Sequence, residues 1–222
     1  MGVILPRLYA ILDRAHMGGR STADVCEALL AGGVRLIQYR DKVATSRELF
    51  ERSRPLLVQI RGAGGTFIVN DRADVALAVS ADGVHVGQDD LPVEMARAVV
   101  GAGRIVGFST HNLEQVAMAD KTSADYIAFG PVFATQSKAQ PDPVVGLEGL
   151  RRAREATRKP LVAIGGITLE RAGEVIAAGA DSVAVIADLL GTPDVRARAR
   201  AFLQALGESQ LNLAPDSPAQ PQ

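Results

Sequence analysis

The 222-residue sequence predicts a single (β/α)8 barrel of the TIM type, and three observations favour this α/β fold class. Eight short apolar segments alternate with eight segments of helical pattern, which is the order expected of a parallel sheet. Most of the apolar segments lack polar alternation, as do strands that are covered on both faces. A small-residue motif recurs before four strands, as AGGV (31–34), SADGV (80–84), SADYI (123–127) and GADSV (179–183). Because the alternation is unbroken, a closed barrel is favoured, and the motif is interpreted as a structural turn into each strand.

In the first half of the chain, helices are indicated by apolar spacing and by their stop signals. Leu49, Phe50, Leu56 and Ile60 recur at helical intervals. Gly32-Gly33 follows the first helix as a stop signal. The predicted strands are 7–12, 34–39, 67–69 and 83–86, and the predicted helices are 22–31, 46–61, 73–79 and 93–100.

The second half repeats this order with one long interruption. Asn112 followed by Gln115 resembles a capping box at a helix start. The segment 130–145 contains Pro131, Pro141 and Pro143, and about sixteen irregular residues favour a loop over the substrate rather than a simple connection. The predicted strands are 105–108, 126–129, 161–164 and 183–186, and the predicted helices are 113–121, 147–157, 169–178 and 194–206.

Composition narrows the classes of function. A formal net charge of −1, no Trp and 4% aromatic residues argue against nucleic acid as a partner. No apolar run approaches the roughly 18 residues of a membrane span, and no secretory signal is recognisable at the start. The single cysteine, Cys26, cannot form an internal disulfide, fits a reducing cytoplasm and is predicted to be a small core residue.

We expect a cytoplasmic enzyme with small-molecule substrates, and a homo-oligomer is compatible with the sequence. Residues 1–206 are predicted to form the barrel. Residues 207–222 are polar and rich in proline, which predicts a disordered tail.

Acidic turns follow the third and fourth strands, with Asp71 after the first of these and Asp90 after the second. Neighbouring parallel strands end at the same edge, so the two carboxylates should meet. At about 4 Å they repel by about 4 kcal/mol at an effective dielectric of about 20. A pair that stays ionised therefore favours a cation, and oxygen ligands in a loop suit Mg²⁺. The alternative is that each aspartate caps the following helix.

Other strand ends supply cations and a candidate anion cradle. Strand alternation places Gln38, Arg40 and Lys42 on one side of the second strand, although a solvated charged turn is the alternative. Gly165-Gly166 follows the seventh strand, where bare backbone N–H groups can approach a phosphate. The alternative there is a turn that needs positive φ.

The candidate groups suit a site that binds two anionic moieties. A cysteine nucleophile is missing, and no nearby His–Asp pair is expected. His85 is placed inside a strand and His16 in a loop, so of the three histidines only His111 is expected at this edge, as a helix-start residue. Electrostatic stabilisation of a leaving group is therefore favoured over general-base chemistry.

Five motifs in order carry a family resemblance over residues 7–206: QYRDK (38–42), NDRADVALAVSADGVHVGQDD (70–90), GFSTHN (107–112), DYIAFGPVFATQSK (125–138) and AIGGI (163–167). Together they resemble the thiamine-phosphate synthase family. The resemblance implies condensation of 4-amino-2-methyl-5-(diphosphooxymethyl)pyrimidine with a 4-methyl-5-(phosphooxyethyl)thiazole, or its carboxylate. Thiamine phosphate and pyrophosphate are the implied products, and Mg²⁺ is the implied cofactor.

The resemblance also implies residue roles. Asp71 and Asp90 match the metal ligands, and Lys138, Arg40, Lys42 and Ser109 match the catalytic positions. The implied pyrimidine diphosphate contacts are Gln38, Tyr39, Arg40, Asp41, Lys42, Asn70, Ser109 and Lys138, and the implied thiazole phosphate contacts are Thr135, Gln136, Ser137, Gly166, Ile186 and Ala187. Ala187 stands where many members have Ser, and Ser137 where Thr is frequent, so thiazole affinity is the property most affected.

Three other functions compete with this one. A tautomerase-like relative would share the barrel, but it has no pyrophosphate to expel and no need of Asp71, Asp90 and Lys138. A phosphosugar epimerase or isomerase would need an acid and a base on opposite sides of a carbon, and no such pair is evident. A non-catalytic binding protein would tolerate the loss of Lys138 and of magnesium.

Overall fold

The computed structural model describes residues 3–135 and 142–208, and it shows eight parallel strands closed into a barrel in chain order. Closure is made by β8, which pairs with β1 through the partners Leu8 and Val183. The strands are β1 Leu8–Asp13, β2 Leu36–Arg40, β3 Thr66–Asn70, β4 Gly83–Val86, β5 Ile105–Thr110, β6 Tyr126–Phe129, β7 Leu161–Ile164 and β8 Ser182–Val185. The predicted (β/α)8 barrel is confirmed.

Helices cover the outside of the barrel. They are α1 Thr22–Ala31, α2 Ser46–Gly62, α3 Ala73–Val79, α4 Val93–Val100, α5 Leu113–Asp120, α6 Gly146–Ala156, α7 Leu169–Ala177, α8 Ala187–Leu190 and α9 Val195–Ala205. Most predicted boundaries agree within two residues. The sequence missed a 3₁₀ turn at Arg14–His16 and the four-residue α8, since neither is long enough to show a helical period.

The recurring small-residue motif acts at the N-terminal edge of the barrel, as predicted. Three of its aspartates accept a hydrogen bond from a backbone N–H of a neighbouring strand. Asp82 accepts from Phe67 N at 2.8 Å, Asp125 from Val106 N at 2.7 Å and Asp181 from Leu161 N at 2.8 Å. Each is also paired with an arginine of the helix that precedes the neighbouring strand, namely Arg61 on α2, Arg97 on α4 and Arg154 on α6. These contacts fix the strand starts and leave the opposite edge for function.

Packing separates two apolar layers. Tyr9, Leu36, Ile68 and Val162 belong to a cluster inside the barrel, and a larger cluster fills the space between strands and helices. Cys26 is fully buried in the outer cluster, so its predicted core position is confirmed.

Two predictions concern the parts of the chain beyond the barrel. Apart from Gly207 and Glu208, the predicted disordered tail lies outside the described residues. Among the helices of the described ranges, none combines the length and apolarity needed to cross a bilayer.

Candidate functional site

The C-terminal ends of the strands surround a cavity of about 1030 Å³. Most of the predicted site residues line it: Gln38, Arg40, Lys42, Asn70, Asp71, Asp90, Ser109, Thr135, Gly166, Ile186 and Ala187. Residues Gln136, Ser137 and Lys138 lie outside the described residues. The barrel therefore gathers side chains that are far apart in sequence at one mouth, as strand-end logic requires.

Tyr39 and Asp41 are placed away from this cavity. Tyr39 is fully buried and donates its hydroxyl to Asp41 at 3.1 Å. Asp41 in turn pairs with Arg52 at 2.8 Å, on the helix side of β2. Alternation along the strand explains the split, because residues 38, 40 and 42 face inward and residues 39 and 41 face outward.

The acidic pair lies between two strand ends. Asp71 adopts a left-handed backbone conformation with φ of 62°, and its Oδ2 lies 2.5 Å from Lys42 Nζ. Asp90 accepts a hydrogen bond from Gly87 N at 2.7 Å. Burial raises the pKa of Asp71; the Lys42 ammonium opposes this rise, and the adjacent Asp90 carboxyl adds to it. The two carboxylates therefore contact each other in a partly desolvated position.

The alternative that these aspartates cap helices is not supported. The N-cap residue of α3 is Arg72 and that of α4 is Pro92, and neither helix start has a side-chain cap. The left-handed backbone of Asp71 is therefore not explained by helix capping, and such conformations cluster at functional sites.

Divalent magnesium fits this donor set. Within the described ranges, no group of three or more His, Cys, Asp or Glu side chains is arranged to hold a metal. A site with only Asp71 and Asp90 as carboxylate ligands suits Mg²⁺, which keeps several waters and takes phosphate oxygens.

An acidic residue that the sequence analysis missed lies beside Arg40 at the cavity. Asp13, at the end of β1, is 1% exposed and forms an ion pair with Arg40. Its Oδ1 also accepts from Ala15 N at 2.9 Å. Asp13 therefore orients the Arg40 guanidinium, and its place at a strand end was the signal that could have identified it.

The expectation for the histidines is wrong in two respects. All three line the cavity, and two lie near aspartates: His16 Nδ1 is 3.5 Å from Asp13, and His111 Nδ1 is 3.5 Å from Asp142. His111 also fixes a loop, since its ring bonds to Gly130 O at 2.7 Å. His85 bonds through Nε2 to Ser109 Oγ at 2.8 Å. Alternation along β4 directs the His85 side chain into the barrel. The sequence analysis did not predict this orientation because the segment is short and otherwise apolar.

The far side of the cavity contains the glycine turn after β7. Gly165 and Gly166 have φ of 99° and 62°, and a Cβ on Gly166 would lie 2.4 Å from Ala134 O. Phe133 N donates to Gly165 O at 3.0 Å. Both the positive φ and the close approach of the loop therefore require glycine. A turn that needs positive φ is compatible with the predicted role of its N–H groups in phosphate binding.

Arg171 is a second residue that the sequence analysis missed. Its guanidinium lies 4.5 Å from the centroid of the Phe133 ring, and it lines the cavity beside the glycine turn. A stacked guanidinium of this kind suits a phosphate or carboxylate.

Comparison with known proteins agrees with this geometry. A profile of the thiamine monophosphate synthase family matches residues 8–189. The thiamine-phosphate synthase of Koribacter versatilis is 54% identical over 209 residues, with 92% of this chain and 98% of that protein covered. The enzyme of the same name from Chloroflexus aurantiacus is 46% identical over 194 residues, with 87% and 89% covered.

A solved structure shows the same arrangement. Thiamine phosphate pyrophosphorylase from Pyrococcus furiosus superposes with a TM-score of 0.83 at 39% identity, and 91% of this chain and 96% of that chain are covered. Sequence profile, close relatives and architecture all agree with the resemblance drawn from the five motifs. The chain therefore belongs to the thiamine monophosphate synthase family of enzymes.

Proposed function

We propose that this enzyme couples 4-amino-2-methyl-5-(diphosphooxymethyl)pyrimidine to 4-methyl-5-(phosphooxyethyl)thiazole or its carboxylate, with release of pyrophosphate and, where the carboxylate is used, of CO2. One observation supports the proposal: the same cavity is lined by groups from β2–β4 and, across the barrel, by groups that follow β7. Asp71, Asp90 and Lys42 lie at one end, while Gly166 and Arg171 lie at the other. A reaction between two substrates that each carry phosphate fits this layout.

The diphosphate belongs at the acidic end. Asp71 and Asp90 would hold Mg²⁺, which when bound supplies positive charge to a departing pyrophosphate. Lys42 and Arg40 add two cationic side chains on the same inward face of β2. Their role is to bind the diphosphate oxygens and to stabilise the negative charge that develops as the bond to the pyrimidine methylene breaks.

The thiazole phosphate belongs at the glycine turn. Backbone N–H groups at Gly166 and the Arg171 guanidinium offer donors to phosphate oxygens. The thiazole nitrogen then attacks the methylene carbon, and no proton has to be removed from it. This explains why the site can work without assigning a base role to His16 or His111.

The discriminating experiment measures pyrophosphate release with both substrates, each substrate alone, and both substrates with EDTA. We expect release only with both substrates and Mg²⁺. Thiazole isomerisation without pyrophosphate would favour a tautomerase, and binding without turnover would favour a non-catalytic protein. Lys138 lies outside the described residues. From the sequence, Lys138→Ala is predicted to lower turnover by orders of magnitude.

A further inference from the structure

A continuous line of hydrogen bonds, here named the buried relay, crosses the barrel interior beneath the cavity. Gln38 Nε2 donates to Tyr9 OH at 2.8 Å, and Tyr9 OH lies 2.8 Å from Tyr126 OH. Tyr126 OH lies 2.9 Å from His85 Nδ1, and His85 Nε2 lies 2.8 Å from Ser109 Oγ. Both ends of the buried relay line the cavity, whereas Tyr126 is completely buried.

One glycine makes the central contact possible. In the barrel register Gly107 lies between its partners His85 and Tyr126. A Cβ on Gly107 would lie 2.0 Å from Tyr126 Cζ and 2.5 Å from His85 Nδ1. No side chain can be accommodated there, so the β5 position between the two rings is kept empty for their contact.

The buried relay has a direction. Each tyrosine hydroxyl has one proton to donate, and Tyr9 already accepts an N–H from Gln38. Only the order Tyr9 to Tyr126 and Tyr126 to His85 Nδ1 lets both hydroxyls donate as well as accept within the buried relay. An imidazole that accepts at Nδ1 is neutral and carries its proton on Nε2. His85 Nε2–H then donates to Ser109 Oγ, and the Ser109 proton is left for an acceptor in the cavity.

We propose that His85 is a positioning residue that makes Ser109 a hydrogen-bond donor toward the diphosphate substrate. The short His85–Ser109 distance resembles the nucleophile and base of a hydrolase, but the direction of the buried relay is the opposite. His85 accepts no proton from Ser109, and Ser109 is no nucleophile. This inference rests on the proposed function only for the identity of the acceptor.

The first test needs no substrate, so it stands whether or not the proposed reaction is observed. Full-length protein with ¹⁵N-labelled histidine rings is studied by NMR, and the His85 signals are assigned by their loss in His85→Gln. We expect one neutral tautomer with the proton on Nε2. A proton on Nδ1, or a doubly protonated ring, would overturn the assigned direction.

The second test breaks the buried relay at a residue that does not reach the cavity surface. Tyr126→Phe should release the tautomer of His85 into a mixture and lower kcat/KM for the diphosphate substrate about tenfold, the value of one hydrogen bond. The KM for the thiazole substrate should stay constant. A fluorophosphonate, which labels nucleophilic serines, should leave Ser109 unlabelled in the wild type and in the variant. Labelling of Ser109 in the wild type would overturn the proposal.

A matched control separates positioning from general loss of stability. Thr110, next to Ser109, is fully buried and donates its hydroxyl to Ala128 O at 2.9 Å. Thr110→Val also loses one buried hydrogen bond, but it leaves the buried relay intact. We expect the His85 tautomer and kcat/KM to stay unchanged in this variant. An equal loss of kcat/KM in both variants would contradict a positioning role, and the wild-type spectrum still decides the direction if Tyr126→Phe fails to fold.

Discussion

Lys42 Nζ and Asp71 Oδ2 lie 2.5 Å apart, and this ion pair joins the end of β2 to the end of β3 at the cavity mouth. The Asp71 carboxylate thus contacts a cation on one side and the Asp90 carboxyl on the other. Removing its charge should alter the placement of Lys42 and weaken the Mg²⁺ site that we propose here.

Asp71→Asn should lower turnover about a hundredfold or more, equivalent to about 2.7 kcal/mol in the activation barrier. Asparagine keeps the shape and tolerates the left-handed φ of 62°, so the thermal midpoint should change little. Asp74→Asn, at an exposed acid in the first turn of α3, is the control and should keep full turnover. A large fall in midpoint for Asp71→Asn would indicate a structural role instead.

Gly166→Ala should weaken productive binding at the glycine turn. A Cβ there would lie 2.4 Å from Ala134 O, and φ is 62°, so the loop after β6 must move. We expect the KM for the thiazole phosphate to rise at least about tenfold, a loss of about 1.4 kcal/mol, in steady-state assays.

Gly173→Ala is the matched control for that change. Gly173 lies within α7, and a Cβ there meets nothing within 4 Å. Alanine should stabilise the helix by roughly 0.5–1 kcal/mol, measured by urea unfolding, with kinetics unchanged. If Gly166→Ala behaves the same way, the glycine turn is no part of the site.

Arg171→Ala should raise the KM for the thiazole phosphate about tenfold, because a charge-assisted contact is worth roughly 1.5–3 kcal/mol. The KM for the diphosphate should stay constant. Arg151→Ala, on the exposed face of α6 with Glu148 as its partner at 3.2 Å, controls for the loss of a positive charge. The idea fails if both variants change the two KM values alike.

Asp13→Asn should destabilise the protein by about 3 kcal/mol, since it leaves the Arg40 guanidinium without its buried partner. The side chain of Asp13 is 2% exposed and that of Arg40 is 18% exposed, so solvent compensates only in part. Urea unfolding measures the loss. Glu148→Gln breaks an exposed ion pair and should cost at most about 1 kcal/mol.

Cys26 should resist alkylation in the native protein. Burial raises the pKa of its thiol to about 12, and the thiolate is the reactive form. Because it is the single cysteine, iodoacetamide uptake followed by mass spectrometry reports one site. Uptake should stay negligible up to pH 9 and become complete in denaturant. Rapid native uptake at pH 8 would show that α1 opens locally.

Strand-end reasoning predicted the inward set well because it depends on the backbone alone. Once eight strands are placed, alternation puts Gln38, Arg40 and Lys42 in the cavity, and the same rule correctly brings Asp71 and Asp90 together. Alternation along a strand does not depend on the exact strand boundaries, which were wrong by one or two residues in several places.

Residues were missed where the chemistry depends on long-range contacts. His85 sits in a strand whose apolar neighbours dominate the local pattern, and its role appears only when Tyr126 lies across Gly107. In the sequence, Arg171 has the pattern of an exposed helix residue, and only the structure shows that its guanidinium stacks on the Phe133 ring. Asp13 was overlooked because the first strand was predicted to end one residue too early.

The loop after β6 is tied together at its base. Val145 N donates to Pro131 O at 2.9 Å, and Gly146 N donates to Val132 O at 3.2 Å. The two ends of the loop are thereby held next to each other at the edge of the barrel. Shortening, lengthening or replacing the stretch between these ties need not disturb the barrel, so this position is suited to engineering by exchange of segments that retain Lys138.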